Sequence, residues 1–430
     1  MNSFFLKKIS KDTGITIHDI YSEIRTNKPR TYKTKIIKKG QKVRTVIDIN
    51  SLKAAQKAAL DYLSEILIQN YNIRFPNRDD VLTDLINTMT NLTKYKNLVI
   101  SRYDIENFYE SIDIQKLMNI LEKSNTLDYY ELNYIKSFMK IKNKLFPGLK
   151  IVNVLSEIIG IKIDHIFIQS CSELNNKTIY YLRYVDDIIV INDNYTKYYT
   201  KDLNIKLKEC AGNNIKFNKN KEKHIYATTS KADNSFDFLG YTFTLCFKKN
   251  MLRIIKLGIS SKKTSKLTDK IKYFINEYKQ DKNINKLLLE LELLYKRYMY
   301  LSKDSEGNII GHNRGFFSSY RLLNESPHSL FIKKGLFEIE DNTKKLLNGS
   351  IINDIWNKMM IDPVPKKIDQ YIKSNKYYNI IMFNRAFIAN PKIGLSKSKM
   401  IDIGETLLIK NSKKIPYKEL SIEIFHKIYE

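Results

Sequence analysis

Cysteine is scarce in this chain: Cys171, Cys210 and Cys246 are the three among 430 residues. They lie far apart, which argues against a disulfide framework or a zinc ribbon and fits a reducing, cytoplasmic setting. The six histidines (His18, His165, His224, His312, His328 and His426) are equally scattered and read as ordinary surface or core residues. Long apolar runs are missing too. Nothing approaches the ~20 residues that span a bilayer, so no membrane partner is expected. The opening "MNSFFLKKISKDTG" has too small an apolar patch for a secretory signal. Internal repeats and low-complexity linkers are also lacking, which predicts domains packed as one body. The last shortage is of acid: 46 Asp+Glu stand against 73 Lys+Arg, a formal net charge of +27. An AT-rich coding sequence explains Lys over Arg but not the deficit of carboxylates. A polyanionic partner, nucleic acid, is the expectation, bound with an affinity that falls steeply with salt.

What is present is a string of short strands and longer helices. "RTYKTKIIKKGQKVRTVIDIN" reads as two alternating strands joined at a basic turn, followed by a helix in "SLKAAQKAALDYLSEILIQNY" with Ser51 as its N-cap. A Pro76 loop leads into another helix, and "KNLVISRYDIENFYESID" is a strand entering a turn. Residues 114–145 look helical, and "GLKIVNVLSEIIGIKIDHIFIQS" has the spacing of a buried helix. A hairpin over 181–193 comes next, then a helix over 197–211. "FNKNKEKHIYATTS" and "FDFLGYTFTLCF" read as strands. From Ser260 the period is helical, with lysines largely off the apolar stripe, and a second helix covers 283–300. "GNIIGHNRGFFSSY" is a loop, and 321–430 is mostly helical with a break at "IDPVPKK".

The chemistry concentrates in "YLRYVDDIIV", an apolar hairpin interrupted by Asp186 and Asp187. Burying two adjacent carboxylates costs several kcal/mol unless something cationic lies between them. "VISRYDIENFY" places a third carboxylate, Asp104, at the C-terminal end of another apolar strand. If the two segments share a sheet, three carboxylates meet at its edge. Such a set suits two divalent cations roughly 3.5–4 Å apart, which clamp the attacking and leaving oxygens of phosphoryl transfer. Oxygen donors favour Mg²⁺ or Mn²⁺ over zinc.

On these residues the chain resembles the reverse transcriptases. "YVDD" is similar to their palm motif C and "DIENFYESID" to motif A of the bacterial members. "KKGQKVRTVIDINSLKAAQ" resembles the first fingers motif, "FPNRDDVLTDL" the next, "FNKNKEK" motif D, and "FDFLGYTF" the primer grip of motif E. The resemblance covers roughly residues 25–320, with the motifs in the family's order. It implies an α/β right-hand polymerase fold: fingers in 1–100, palm in 101–250, helical thumb in 251–320, and a mostly helical C-terminal extension in 321–430.

The resemblance also implies roles. Asp104, Ile105, Asp186 and Asp187 would surround two Mg²⁺ ions, for which Mn²⁺ can substitute, and Lys221 would stand near the pyrophosphate. Lys38, Lys39, Arg44 and Arg78 would contact the deoxynucleoside triphosphate, with Tyr109 as the steric gate against a 2′-OH. Phe238, Leu239, Gly240 and Tyr241 would form the primer grip. Motif B departs from the family, with Lys150-Ile151-Val152 in place of Pro-Gln-Gly, while Gly148, Leu155, Ser156 and Asp164 can be matched. Gly148, Lys150, Val152 and Ser156 would then wall the nascent base pair, and the loss of Gly at Val152 predicts a narrower pocket and a product of restricted composition.

This altered motif B resembles the abortive-infection and "unknown group" bacterial reverse transcriptases, which implies a role in antiphage defence. Its partners would be an RNA template or a dedicated non-coding RNA, the DNA product, and a second copy or a companion defence protein. Two other readings stand beside it: template-independent or protein-primed addition of deoxynucleotides, and an inactive nucleic-acid-binding scaffold.

Overall fold

A computed structural model of the chain describes residues 2–26, 31–39, 42–173, 178–193, 199–227, 234–296, 298–303, 309–316, 320–323, 337–374, 387–392 and 394–429. Two compact units result, residues 1–230 with 249–251 and residues 231–248 with 252–430.

The first unit opens with α1 (Ser3–Thr13), capped by the Asn2 side chain, and α2 (Ile17–Arg25), capped by Thr16. β1 (Thr34–Lys39) and β2 (Lys42–Ile47) pair antiparallel, as their alternation predicts. The next helix, α3 (Ala54–Asn70), starts later than expected because Ser51 is used in the preceding turn. Its hydroxyl donates to the Asp48 carbonyl (2.6 Å), and Lys53 becomes the N-cap, its N–H bonded to Gln56. α4 (Arg78–Asn91) is capped by Asn77, and β3 (Val99–Asp104) leads through α5 (Phe108–Ser111) into α6 (Ile114–Ser124) and α7 (Tyr129–Lys140). The single helical stretch expected over 114–145 is therefore broken. Asn125 leaves the helix at φ 51°, and a capping box between Asp128 and Glu131 starts the next one. The expected buried helix is α8 (Lys150–Glu173), followed by β4 (Thr178–Tyr184), β5 (Asp187–Asn192), α9 (Tyr199–Ala211) and β6 (Lys223–Tyr226).

Strands β4, β5, β3 and β6 form one antiparallel sheet in that spatial order. Because strand side chains alternate between faces, Tyr103, Ile188, Val190 and Tyr181 share one face. Phe167 of α8 closes on it, with ring centroids 5.4 Å from Tyr103 and 5.6 Å from Tyr181. Ile151, Val152, Leu155, Ile158, Ile159 and Ile163 of α8 join the same core. Each fully buried aliphatic side chain contributes roughly 1.5–3 kcal/mol, which fixes α8 against this face of the sheet, opposite the one that carries Asp104 and Asp187.

The second unit contains β7 (Ser235–Phe238), β8 (Tyr241–Lys248), β9 (Met251–Ile259), α10 (Ser261–Asp281) and α11 (Ile284–Tyr295). β10 (Tyr298–Lys303), β11 (Ile309–Arg314) and β12 (Phe337–Ile339) follow, then α12 (Asp341–Leu347), α13 (Ile351–Met359) and α14 (Lys366–Ser374). β13 (Phe387–Ala389), α15 (Lys397–Thr406) and α16 (Tyr417–Tyr429) complete it. "FDFLGYTFTLCF" is not one strand but two, turned at Leu239 (φ 47°) and Gly240 (φ 88°). The helix expected over 283–300 stops at Tyr295, and the segment "IIGHNR", expected as loop, pairs with β10. The proline-marked break separates α13 from α14. Among the described residues no helix is long and apolar enough to cross a membrane.

Candidate active site

The register of the β4–β5–β3–β6 sheet brings the three aspartates to one end of its strands. Asp104, the last residue of β3, pairs directly with Asp187, the first of β5. Asp186 occupies the two-residue turn between β4 and β5, and its carbonyl accepts a hydrogen bond from the Ile105 N–H at 2.9 Å. Ile105 thus acts through its main chain, while its side chain is buried. The loop after α9 docks on the same strand end. Asn218 N–H donates to the Asp104 carbonyl (2.8 Å) and Glu106 N–H to the Lys216 carbonyl (3.0 Å), which delivers Lys221 Nζ to 2.5 Å from Asp104 Oδ2.

A second cation, missed in the sequence, holds the other strand. Arg102 Nη2 donates to Asp187 Oδ1 at 2.7 Å. Its signal was present, since strand alternation places Arg102 and Asp104 on one face. Among the described residues Asp186 makes no such ion pair: burial, then the negative charges of Asp187 and Asp104, push its carboxyl up to about 6 against the opposing pull of Lys221. Asp187 is also raised, by burial, although Arg102 opposes the shift.

The expectation of three carboxylates closed around one point is met by the main chain and not by the side chains. Among the described residues no group of three or more His, Cys, Asp or Glu side chains is arranged to hold a metal ion. Lys221 engages Asp104 and Arg102 engages Asp187, so cationic side chains offset the charge that metals would offset. The donor chemistry fits Mg²⁺ or Mn²⁺ all the same: the atoms are hard carboxylate oxygens, and the charge of Asp186 is only partly offset, by Lys221 acting on it from its pair with Asp104.

Tyr109, on α5, stands half-buried beside this centre. Its hydroxyl donates to Asn153 Oδ1 of α8 at 3.2 Å. Burial and then the charge of Asp186 raise its pKa, while Arg44 of β2 acts on it in the opposite sense. The turn before α8 also approaches β2: Ile47 N–H donates to the Pro147 carbonyl (2.9 Å), and a Cβ on Gly148 (φ 128°) would lie 3.1 Å from the Ile47 carbonyl oxygen. Glycine at 148 is required by both the φ and the approach.

Other predicted residues are placed differently. Lys150 Nζ lies 2.6 Å from Glu65 Oε1 of α3, and Lys8 binds the other oxygen of the same carboxylate. Val152 is wholly buried among the core residues of α8, and so is Ile151. The residues replacing Pro-Gln-Gly therefore do not present the apolar wall expected of them, because the helical period turns 151 and 152 inward. Ser156 is buried and bonds the Asn153 carbonyl (2.9 Å), within reach of Tyr109. Arg78 begins α4 beside Asp79. Lys38 and Lys39 end β1, paired with Val43 and Lys42, and their side chains lie outside the described residues. In the second unit Phe238 and Tyr241 are buried at the base of the β7–β8 turn, with Leu239 and Gly240 at its tip.

Residues 36–243 match the family model described as "Reverse transcriptase (RNA-dependent DNA polymerase)". Residues 36–243 thus form a reverse transcriptase domain, with the mixed helix-and-sheet build of a right-hand polymerase fold. No curated protein matches the chain. Among solved structures, the apo telomerase of Candida tropicalis lacking its C-terminal domain is similar at 16% identity and a TM-score of 0.38, over 54% of this chain and 57% of that one. The Candida albicans telomerase with a TWJ fragment of telomeric RNA aligns at 14% identity and a TM-score of 0.39, over 98% and 67%. The Candida tropicalis telomerase with the same kind of fragment gives 13% and 0.39, over 92% and 64%. The chain spans less than two thirds of the first and third of these, and a likeness at such scores says nothing of function.

Proposed function

We propose that this reverse transcriptase domain adds deoxynucleotides to a primer end on an RNA template. The observation that carries the reading is the register pairing of Asp104 with Asp187, with Asp186 in the adjoining turn. Asp104, Asp186 and Asp187 would hold divalent cations, Mg²⁺ by preference; when bound, these supply the charge that stabilises the attacking and leaving oxygens. Tyr109, fixed by Asn153, would close the floor of the nucleotide pocket against a 2′-OH, and Arg44 would meet the triphosphate. Lys221 would turn from Asp104 to the leaving pyrophosphate.

Fingers, palm, thumb and C-terminal extension are assigned as 1–100, 101–250, 251–320 and 321–430, with Phe238–Tyr241 as the primer grip. Antiphage defence, a dedicated non-coding RNA, a second copy or a companion defence protein, and a cytoplasmic setting complete the proposal; the sequence resemblance and the net charge of +27 support them. With Val152 inside the core, the altered motif B no longer favours template-independent or protein-primed addition over copying. The test is primer extension by purified protein on heteropolymeric RNA with an annealed DNA primer and all four deoxynucleotides, with the product sequenced. Complementary DNA supports the reading. Untemplated tails, or no incorporation under any metal, contradict it.

A further inference from the structure

The turn that presents Asp186 is strained. Val185 adopts φ 58°, a left-handed conformation that costs a β-branched residue about 1–2 kcal/mol. Something must hold it. Strand alternation puts Arg183 on the sheet face opposite Asp104 and Asp187, toward α8. There its side chain is only 5% exposed and all its donors are used. Nε and Nη2 fork onto Asp164 at 2.6 and 3.0 Å, Nη1 donates to Glu157 at 3.0 Å, and Nη2 bonds the other Glu157 oxygen. The remaining Nη1 proton reaches the Val185 carbonyl at 3.3 Å. Residues 157, 160 and 164 share one face of α8 by helical period, and Gly160 leaves the room: a Cβ there would sit 2.5 Å from Arg183 Cζ. Tyr181 donates to the same Asp164 oxygen at 2.6 Å, anchoring the carboxylate from β4.

We infer that Arg183 is a positioning residue that clamps the strained turn onto α8 and thereby sets where Asp186 presents its carboxylate. The same helix carries Asn153, which holds Tyr109, so one rigid element aligns the sugar gate with the metal-binding turn. The charge of Arg183 is spent on Glu157 and Asp164, so it makes no contact with nucleotide; its effect is geometric. This inference rests on the polymerase reading above.

The experiment compares Arg183→Lys and Gly160→Ala with wild type at a temperature where each is folded. It reads Mn²⁺ binding by paramagnetic resonance without nucleotide, and kcat and deoxynucleotide KM in primer extension. Arg183→Lys keeps the charge and loses the fork. Its kcat is expected to fall by about ten- to a hundredfold, the scale of a small misplacement of a reacting group. Mn²⁺ affinity weakens with it, while KM changes less than about twofold because uniform nucleotide binding is untouched. Gly160→Ala removes no charge but displaces the guanidinium, and gives the same signature in smaller size. Glu157→Gln, which keeps the Asp164 fork, stands in should Arg183→Lys not fold. Wild-type kcat and Mn²⁺ affinity in the folded variants, with only a lowered melting temperature, overturn the clamp. Asp186→Asn is run beside them: if it too polymerises normally the polymerase reading has failed, whereas an inactive Asp186→Asn beside an unaffected Arg183→Lys removes the clamp alone.

Discussion

Each unit contains a nest of three carboxylates with lysine or arginine among them, and the two nests differ in one respect. In the first unit Asp104 and Asp187 are paired with Lys221 and Arg102, and Asp186 sits in a turn with no ion pair of its own among the described residues, its carboxyl raised by burial and by its acidic neighbours to about 6. In the second, Lys286 binds Glu277 and Asp281 at 3.1 Å each, and Glu290 on α11 is 1% exposed with its carboxyl pushed up to about 8, first by burial and then by Glu277. A carboxyl at about 8 is neutral at pH 7 and serves as packing. One near 6 is largely ionised there, and its charge is left for a ligand. Clustered acid alone is therefore no mark of a metal site; a carboxylate that stays ionised without an ion pair of its own is the better one.

The largest effect that separates the nests is on catalysis. Asp186→Asn with Asp187→Asn is expected to cut deoxynucleotide incorporation by about a thousandfold or more in primer extension, as when a developing charge loses its stabiliser. Without metal, Asp186→Asn alone should melt no lower than wild type, since repulsion is relieved, whereas Asp187→Asn also breaks the pair with Arg102 and should melt lower. Incorporation at the wild-type rate would put the chemistry elsewhere.

Next in size is sugar choice. Tyr109→Ala is expected to lose about ten- to a hundredfold of the discrimination against ribonucleotides, and Tyr109→Phe little, since the ring and not the hydroxyl meets the 2′-OH. Competition between the two nucleotide types reads this directly, and unchanged discrimination in Tyr109→Ala would remove it as the gate.

The second nest answers to pH instead. Glu290 is raised in the folded state above its ordinary value of 4.5, so folding binds a proton there, and stability falls as pH rises from about 4.5 to about 8. Lys270 of α10, Lys286, Glu277 and Lys427 of α16 are the charges that bear on it. Glu290→Gln abolishes this dependence. Its advantage over wild type in unfolding free energy, read by denaturant unfolding, should grow from pH 5 to pH 8, reaching on the order of 2 kcal/mol. An advantage that shrinks with pH would contradict the sign, and primer extension should be indifferent to the change.

Smallest is Lys150→Ala, which breaks a half-exposed pair with Glu65. It should cost less than about 1 kcal/mol in denaturant unfolding. Product composition should not change, because Lys150 Nζ is engaged by Glu65; an altered composition would restore its expected role in the nucleotide wall.

Why some of this was legible in sequence and some not comes down to range. Asp186 and Asp187 announced themselves because two charges inside an apolar strand contradict the local pattern, and Asp104 ended another strand of the same kind. Tyr109 followed from a fixed offset after Asp104. Arg183 was in plain view in "YLRYVDD" but reads locally as one more charge. Only the face shared by Glu157, Gly160 and Asp164, packed on that strand, reveals it as buried. Val152 was misplaced because a motif was matched position by position where the helical period decides direction. Ser51 lost its cap to a turn three-dimensional context had claimed, and Gly240 in "FDFLGYTF" marked a turn that strand propensity on both sides concealed.

The measurement that bears most directly on the difference between the two nests is Mn²⁺ titration of the nucleotide-free protein, followed by paramagnetic resonance, in wild type, Asp186→Asn with Asp187→Asn, and Glu290→Gln. Binding lost in the double variant and kept in Glu290→Gln is the predicted result. Binding that survives loss of both aspartates, or that disappears with Glu290, would contradict the account.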